Sequence, residues 1–287
     1  VTIYLNGKFM PIEEACIPVL DRGFIFGDGV YEVIPVYSNR GFRLPEHLSR
    51  LQHSLDGIHL PNPYTDEEWT KLINELVARN AGEDQYLYLH ITRGVAKRDH
   101  AFPRPPVAPT VFMMSNPLTT PPAELLQSGV GAVTAQDNRW LRCDIKSIAL
   151  LPNVLLRQMA VDAGCAETIL IRDDEFMTEG AASNIFVVKN GTLLAPPKDH
   201  FMLPGITYDV VLEIAANNSI PYQVRKVAKE ELFNADEILL TSSTKEVLAI
   251  THLDGQPVGK GKPGQMFEKL YRLYQDFKRD VMRKSAQ

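Results

Sequence analysis

Apolar and polar positions recur along this chain with two different periods, and the period switches from segment to segment. Between Leu44 and Ile58, Leu48, Leu51, Leu55 and Ile58 return every three or four residues, which is one apolar stripe on a helix. Residues 65–80 open with T-D-E-E, a capping box with Thr65 as N-cap and Glu68 three residues on. Trp69, Leu72, Ile73, Leu76 and Val77 then supply that helix's buried face. Period two takes over at 85–92, QYLYLHIT, where Leu87, Leu89 and Ile91 share a side. VYEVIPVY at 30–37 also reads as a strand, with Pro35 weakening it or placing it at an edge. A further strand is expected at 110–115.

NPLTTPP, residues 116–122, carries three prolines and two threonines and predicts a linker. The expected division is a smaller N-terminal α/β domain over 1–117, a linker at 118–122 and a larger C-terminal domain over 123–287. Within the latter, strands are expected at 129–136, 167–172, 184–189 and 192–195, with Asn190-Gly191 as a hairpin turn. A helix should run from Thr207 to Asn217, followed by strands at 237–242 and 246–252 and a turn at Asp254-Gly255. The last helix, 264–284, should bury Met266, Leu270, Leu273, Phe277 and Val281. These elements make an α/β protein with mixed sheets in two unequal domains and a cleft between them.

Composition narrows the class of protein. At 45% hydrophobic and 23% charged, the 287 residues suit a soluble globular chain with a sizeable core. A net charge of −5 argues against nucleic acid or an anionic membrane as the main partner. No window approaches the roughly 18 consecutive apolar residues of a membrane span. VTIYLNGKF has no basic region followed by an apolar core, so no signal peptide is expected. Cys16, Cys143 and Cys165 are odd in number and scattered, unlike a disulfide framework or a zinc cluster. A cytoplasmic protein without a metal is expected.

Five short stretches could carry chemistry. In RCDIKSIALL, Lys146 stands among Cys143, Ile145, Ile148, Ala149, Leu150 and Leu151. Apolar surroundings disfavour the ammonium and release a nucleophilic amine able to form a Schiff base with a carbonyl. The alternative is a lysine whose head snorkels to water. Glu179 in MTEGAASNIF is followed by small residues that would let a flat ligand approach, or it caps its own turn. LPGITYDVV leads through Gly205, Ile206 and Thr207 into a helix whose first N–H groups favour an anion, although Thr207 is also what any helix start would choose. LTSSTKE places the hydroxyls of Ser242 and Ser243 at a strand end, suited to phosphate or simply to a turn. In RGVAKRDHAF, Arg98 and His100 point the same way if the loop is extended, so they could grip a carboxylate together, or merely form a solvated basic loop. GFIFGDG, residues 23–29, has the wrong glycine spacing for a dinucleotide site and reads as a turn.

The order of these pieces resembles the fold-type IV pyridoxal-phosphate enzymes, whose members include D-amino acid aminotransferases, branched-chain aminotransferases and aminodeoxychorismate lyases. The resemblance covers essentially the whole chain, through DRGFIFGDGVYEV, EHLSRL, RWLRCDIKSIALLPNVL, TEGAASNIF, LPGIT and LTSSTKEV. Tyr31 with R-D-H at 98–100 and the string RWLRCDIKS look most like the D-amino acid aminotransferase subgroup.

The resemblance implies a two-domain fold with the cofactor pyridoxal 5′-phosphate in the interdomain cleft. It assigns Lys146 as the catalytic amine that holds the cofactor and shuttles the proton. Glu179 would pair with the pyridine nitrogen. Arg50, Ile206, Thr207, Ser242 and Ser243 would hold the phosphate, and Tyr31, Arg98 and His100 the substrate carboxylate. The implied activity is ping-pong transamination by a homodimer, from D-alanine or other D-amino acids to 2-oxoglutarate. The alternatives in the same fold are an L-branched-chain aminotransferase and an aminodeoxychorismate lyase. Ala181 and Ala182 stand where that subgroup is expected to carry serines, and Ser243 where threonine is expected.

Overall fold

The computed structural model describes residues 1–283. The chain forms two compact units, one of Val1–Thr119 with Ile145–Leu150 and Arg283, the other of Thr120–Asp144 with Leu151–Met282. The stretch around Lys146 therefore belongs to the first unit, although it follows the first segment of the second in sequence.

In the first unit, six strands among the described residues form one antiparallel sheet. Their order is Lys8–Pro11, Thr2–Leu5, Thr110–Pro117, Gln85–Thr92, Gly29–Tyr37 and Arg40–Gly41. Leu87, Leu89 and Ile91 are fully buried, as their alternation requires, with Val30 registered against Ile91 and Ile34 against Leu87. Helices Leu44–Gly57 and Asp66–Ala78 contribute Leu48, Leu51, Leu55, Trp69, Ile73 and Leu76 to the same core. The capping box at Thr65 is formed, Glu68 N–H donating to Thr65 Oγ1 and Thr65 N–H to Glu68 Oε2.

Pro35 lies inside the nine-residue strand Gly29–Tyr37 without ending it. Its carbonyl accepts from Phe42 N–H on the side away from strand 85–92, so the missing N–H also faces that outer edge. At the start of the strand, Gly29 is required by close approach: a Cβ there would lie 2.3 Å from the Ile91 carbonyl oxygen.

The second unit holds a mixed sheet of ten strands among the described residues. Its centre runs Asn184–Lys189, Glu237–Ser242, Glu246–Leu253, Val130–Gln136, Glu167–Arg172 and Phe176–Gly180. Two of those neighbouring pairs are parallel, those that flank Val130–Gln136. Ile169, Ile171, Ile185, Val187, Ile238, Leu240 and Ile250 form its core. Helices Ile206–Asn217 and Gln265–Phe277 pack on each other and on strand Glu237–Ser242.

Two features depart from the sequence reading. Helix Leu151–Asp162 has no clear sequence signal, because its apolar residues occur all round and give no single stripe. The C-terminal helix buries Phe267, Leu270, Tyr274, Lys278 and Met282, a face displaced by one residue from the expected one at every position except Leu270. The displacement begins at Phe267 and carries on through the π-helical turn Lys278–Met282, which leaves Val281 exposed beside the buried Met282. The expected final residue, 284, lies outside the described residues. Among the described residues no helix is long and apolar enough to cross a membrane, and no group of three or more His, Cys, Asp or Glu could hold a metal ion.

Trp69 has no exposed surface, and its indole N–H donates to Asn62. Replacing it with alanine should cost about 3–5 kcal/mol, whereas Thr65→Ala should cost about 1 kcal/mol through the lost cap. Urea unfolding checks both, and equal losses would contradict the core assignment.

Candidate active site

Lys146 is placed by main-chain pairing. The outer edge of strand Gly29–Tyr37 is open at its start, and the irregular segment 145–148 runs along it. Tyr31 N–H donates to the Lys146 carbonyl at 2.9 Å and Ile148 N–H to the Gly29 carbonyl at 3.1 Å. Lys146 N–H donates to Ser54 Oγ on helix Leu44–Gly57 at 3.1 Å. The result sets Lys146 Nζ 4.2 Å from the centre of the Tyr31 ring, in a half-buried position. The two residues expected to meet catalysis and substrate are thus side by side.

Next to Tyr31 in sequence, Glu32 is fully buried and meets two residues of the facing helix. Arg50 donates through Nε and Nη2, each at 2.8 Å, and His47 Nδ1 lies 2.8 Å from Glu32 Oε2. Burial would raise the Glu32 carboxyl, but the Arg50 charge and hydrogen bonds, with His47, outweigh it and hold it far below the usual range. His47 is depressed, chiefly by burial, with the Arg50 and Lys146 charges adding to it against the opposing pull of Glu32. Its Nε2 has no hydrogen-bond partner among the described residues. Arg50, expected from sequence as a phosphate ligand, therefore has two of its N–H groups committed to Glu32. Sequence reasoning missed Glu32 and His47; the available signal was an acid inside an apolar strand and a His-x-x-Arg spacing on the helix.

Arg98 and His100 lie on an exposed loop, and both face one ring. The Arg98 guanidinium is 5.5 Å and the His100 ring 5.4 Å from the centre of Phe26. Tyr31 instead lies against Tyr88. The structure brings Arg98 and His100 together, and Tyr31 together with Lys146; among the described residues no hydrogen bond or ring contact joins the two pairs directly.

In the second unit, Glu179 sits near the end of strand Phe176–Gly180 and is buried. Its Oε1 accepts from Arg139 Nη1 at 2.6 Å and from Leu203 N–H at 3.1 Å, and its Oε2 from Asn184 Nδ2 at 3.2 Å. Arg139 is itself gripped by Asp137 through Nε and Nη2, both at 2.9 Å. Burial pushes the Glu179 carboxyl up to about 7, against the charge and hydrogen bond of Arg139. Arg139, sequence neighbour of Trp140 in the RWLRC string, carried no separate signal.

Asn184 also donates to the Leu203 carbonyl and presses on Gly205, where a Cβ would lie 2.0 Å from Asn184 Oδ1. Gly205 is the N-cap of helix Ile206–Asn217 and no side chain caps it. Thr207 is therefore the second residue of that helix and not its cap. Strand Asn184–Lys189 pairs with Glu237–Ser242, Asn184 opposite Thr241, which brings the Ser242 hairpin to the same end. Ser242 Oγ accepts from Lys245 N–H, and Thr241 Oγ1 is buried with no hydrogen-bond partner among the described residues. A buried acceptor for a protonated ring nitrogen, with N–H donors at an uncapped helix start and a hydroxyl hairpin for an anion, fits a phosphorylated pyridine. Lys146, in the first unit, is an amine of the kind its aldehyde requires.

The first unit carries a lysine beside an aromatic ring, and the second a buried acid held by arginine and an open helix start. Residues 29–253 match the family model for amino-transferase class IV. Curated relatives described as D-alanine aminotransferase are similar nearly end to end. That of Bacillus licheniformis is 41% identical, covering 96% of this chain and 96% of its own. That of Staphylococcus epidermidis is 40% identical, covering 96% and 97%. Among solved structures, a T.th. branched-chain amino acid aminotransferase with pyridoxamine 5′-phosphate superposes with a TM-score of 0.88 at 28% identity, covering 96% of this chain and 93% of that one. The Escherichia coli branched-chain enzyme gives 0.87 at 26%, covering 94% and 92%. The chain belongs to amino-transferase class IV and is an aminotransferase of the fold-type IV architecture.

Because Glu32 is depressed in the folded protein, its contribution to stability is full above the ordinary carboxylate range and is lost as pH falls through and below it. Glu32→Gln should therefore be less stable at pH 7 and lose less on going to pH 4. Urea midpoints at the two pH values measure this, and parallel losses in both proteins would refute it.

Proposed function

We propose that this aminotransferase is a D-amino acid transaminase that works with pyridoxal 5′-phosphate. It moves the amino group of D-alanine, or another D-amino acid, to 2-oxoglutarate, giving pyruvate and D-glutamate in a ping-pong cycle. What supports the D-specific reading is the group of relatives described as D-alanine aminotransferase at about 40% identity, set against 26–28% for the branched-chain enzymes that share the fold.

When bound, the cofactor supplies an electron sink for charge developing at the substrate's Cα. Lys146 Nζ would hold the cofactor and would carry the proton of that carbon. Glu179 would accept from the pyridine nitrogen, with Arg139 keeping the acid oriented. Arg50, Ile206, Thr207, Ser242 and Ser243 hold the phosphate, Arg50 with its charge partly balanced by Glu32. Tyr31, Arg98 and His100 bind the α-carboxylate.

The same reading includes a homodimer. Leu151, Val154, Leu155 and Met159 are exposed at helical spacing on helix Leu151–Asp162, an apolar stripe that a second copy would cover. It also includes a cytoplasmic setting, in keeping with the free thiols of Cys16, Cys143 and Cys165.

The purified, cofactor-loaded protein should change its absorbance with D-alanine and not with L-alanine. Conversion by L-leucine in place of D-alanine would move the assignment to the branched-chain enzymes. Pyruvate release from aminodeoxychorismate without an amino acceptor would move it to the lyases. Lys146→Ala should exchange no amino groups, and Glu179→Gln should lose about 10²-fold or more in turnover. A Glu179→Gln enzyme with undiminished kcat would remove that acid from the mechanism.

A further inference from the structure

Residues 23–29, which read from sequence as a turn, belong largely to the short helix Arg22–Phe26, and a polar cluster of the first unit surrounds it. Asp21 accepts from Gly23 N–H and caps the single turn Arg22–Phe26, which ends on the left-handed Gly27. Arg22 is buried. Its Nε donates to Asp28 Oδ2 at 2.7 Å, and its remaining nitrogens reach across to the loop that carries Arg98 and His100. There Nη1 donates to the carbonyls of Asp99 at 2.6 Å and Ala101 at 3.2 Å, and Nη2 to that of His100 at 3.4 Å.

The anchor is itself anchored. Asp28 takes two further hydrogen bonds from Arg93, at 2.8 and 3.0 Å, and the Arg93 guanidinium lies 3.7 Å from the centre of the Phe102 ring at the end of the loop. Phe26, on the turn that Arg22 opens, presents its ring to Arg22, Arg98 and His100 alike.

An exposed polar loop with few apolar contacts has little to order it. Here one buried guanidinium takes three successive carbonyls, which fixes the backbone at 99–101 and so the direction of the side chains on either side of Asp99. A lysine would keep the charge beside Asp28 but lacks the planar fork for three acceptors. We propose that Arg22 is a positioning residue for substrate: by holding the 99–101 carbonyls it sets Arg98 and His100 for the α-carboxylate. This rests on the assignment of Arg98 and His100 as carboxylate ligands.

The test compares Arg22→Lys and Arg22→Met with Arg98→Ala in the cofactor-loaded enzyme. Each is assayed with D-alanine and with isopropylamine, an amine without a carboxylate. The Arg22 variants should raise KM for D-alanine about tenfold, equivalent to roughly 1.4 kcal/mol, with kcat nearly kept and the amine reaction unchanged. Trypsin should also cut after Lys97 and Arg98 faster than in the parent protein, a readout independent of activity. If Arg98→Ala shows the D-alanine effect and Arg22→Lys shows neither that effect nor faster cleavage, the inference is overturned while the carboxylate assignment stands. If Arg98→Ala weakens both substrates equally, the assignment beneath it falls. If the Arg22 variants lose both substrates equally, Arg22 is only structural. Should Arg22→Met fail to fold, Arg22→Lys alone decides, because it retains the ion pair with Asp28.

Discussion

The open edge of strand Gly29–Tyr37 is the constraint on which the lysine's position depends. A strand edge buried in a protein must find partners for its N–H and C=O groups. Strand Arg40–Gly41 serves one end of this edge, and segment 145–148 serves the other. The paired residues at that second end are Gly29 and Tyr31, so satisfying the backbone also sets Lys146 beside the Tyr31 ring. Gly29 has no side chain because the Ile91 carbonyl and the Ile148 side chain close in on it. The Lys146 amine is thus located by backbone hydrogen bonds in which its own side chain takes no part.

Two buried carboxylates illustrate how partners decide titration. Glu32 and Glu179 both lose their water, and both meet an arginine. Glu32 receives two hydrogen bonds from Arg50 and a contact with His47, and it stays ionised far into acid. Glu179 receives one hydrogen bond from an arginine whose other nitrogens are already engaged by Asp137, and burial prevails. An acid poised in this way gains from a positive group brought to its remaining face, whereas Glu32 has no such need. The difference lies in the partners: two arginine hydrogen bonds and a histidine at Glu32, one shared arginine at Glu179.

Much of this was legible in the sequence where the signal is local. The capping box at Thr65, the alternation at 85–92 and the Asn190-Gly191 hairpin each depend on neighbours within a few residues, and each appears in the structure. Lys146 and Glu179 could be singled out because each breaks an apolar or small-residue pattern. What could not be read is pairing at a distance. Arg139 looks like any surface arginine until Asp137 and Glu179 close on it, and Arg22 looks like part of a turn until the 99–101 carbonyls meet it. Helix Leu151–Asp162 was hidden for a different reason: its apolar residues serve two faces, one inward at Leu156 and Ala160 and one exposed, so no single stripe survives.

The alanine at 181, where a hydroxyl was expected, finds a physical account in Glu167; the exposed alanine at 182 has none in the structure. This acid is fully buried on strand Glu167–Arg172. It accepts from Ala181 N–H at 3.1 Å and from Ser183 Oγ at 2.7 Å, and Lys245 of the Ser242 hairpin lies 3.6 Å away. Ala181 N–H also donates to the Thr168 carbonyl at 2.9 Å. The turn that follows Glu179 is therefore fixed through its backbone and through Ser183, and neither interaction asks for a hydroxyl at 181. Gly180 must remain glycine, because a Cβ would press on both Ser183 Oγ and the Glu167 side chain. An alanine at 181 therefore lacks a side-chain oxygen without loosening the frame that holds Glu179.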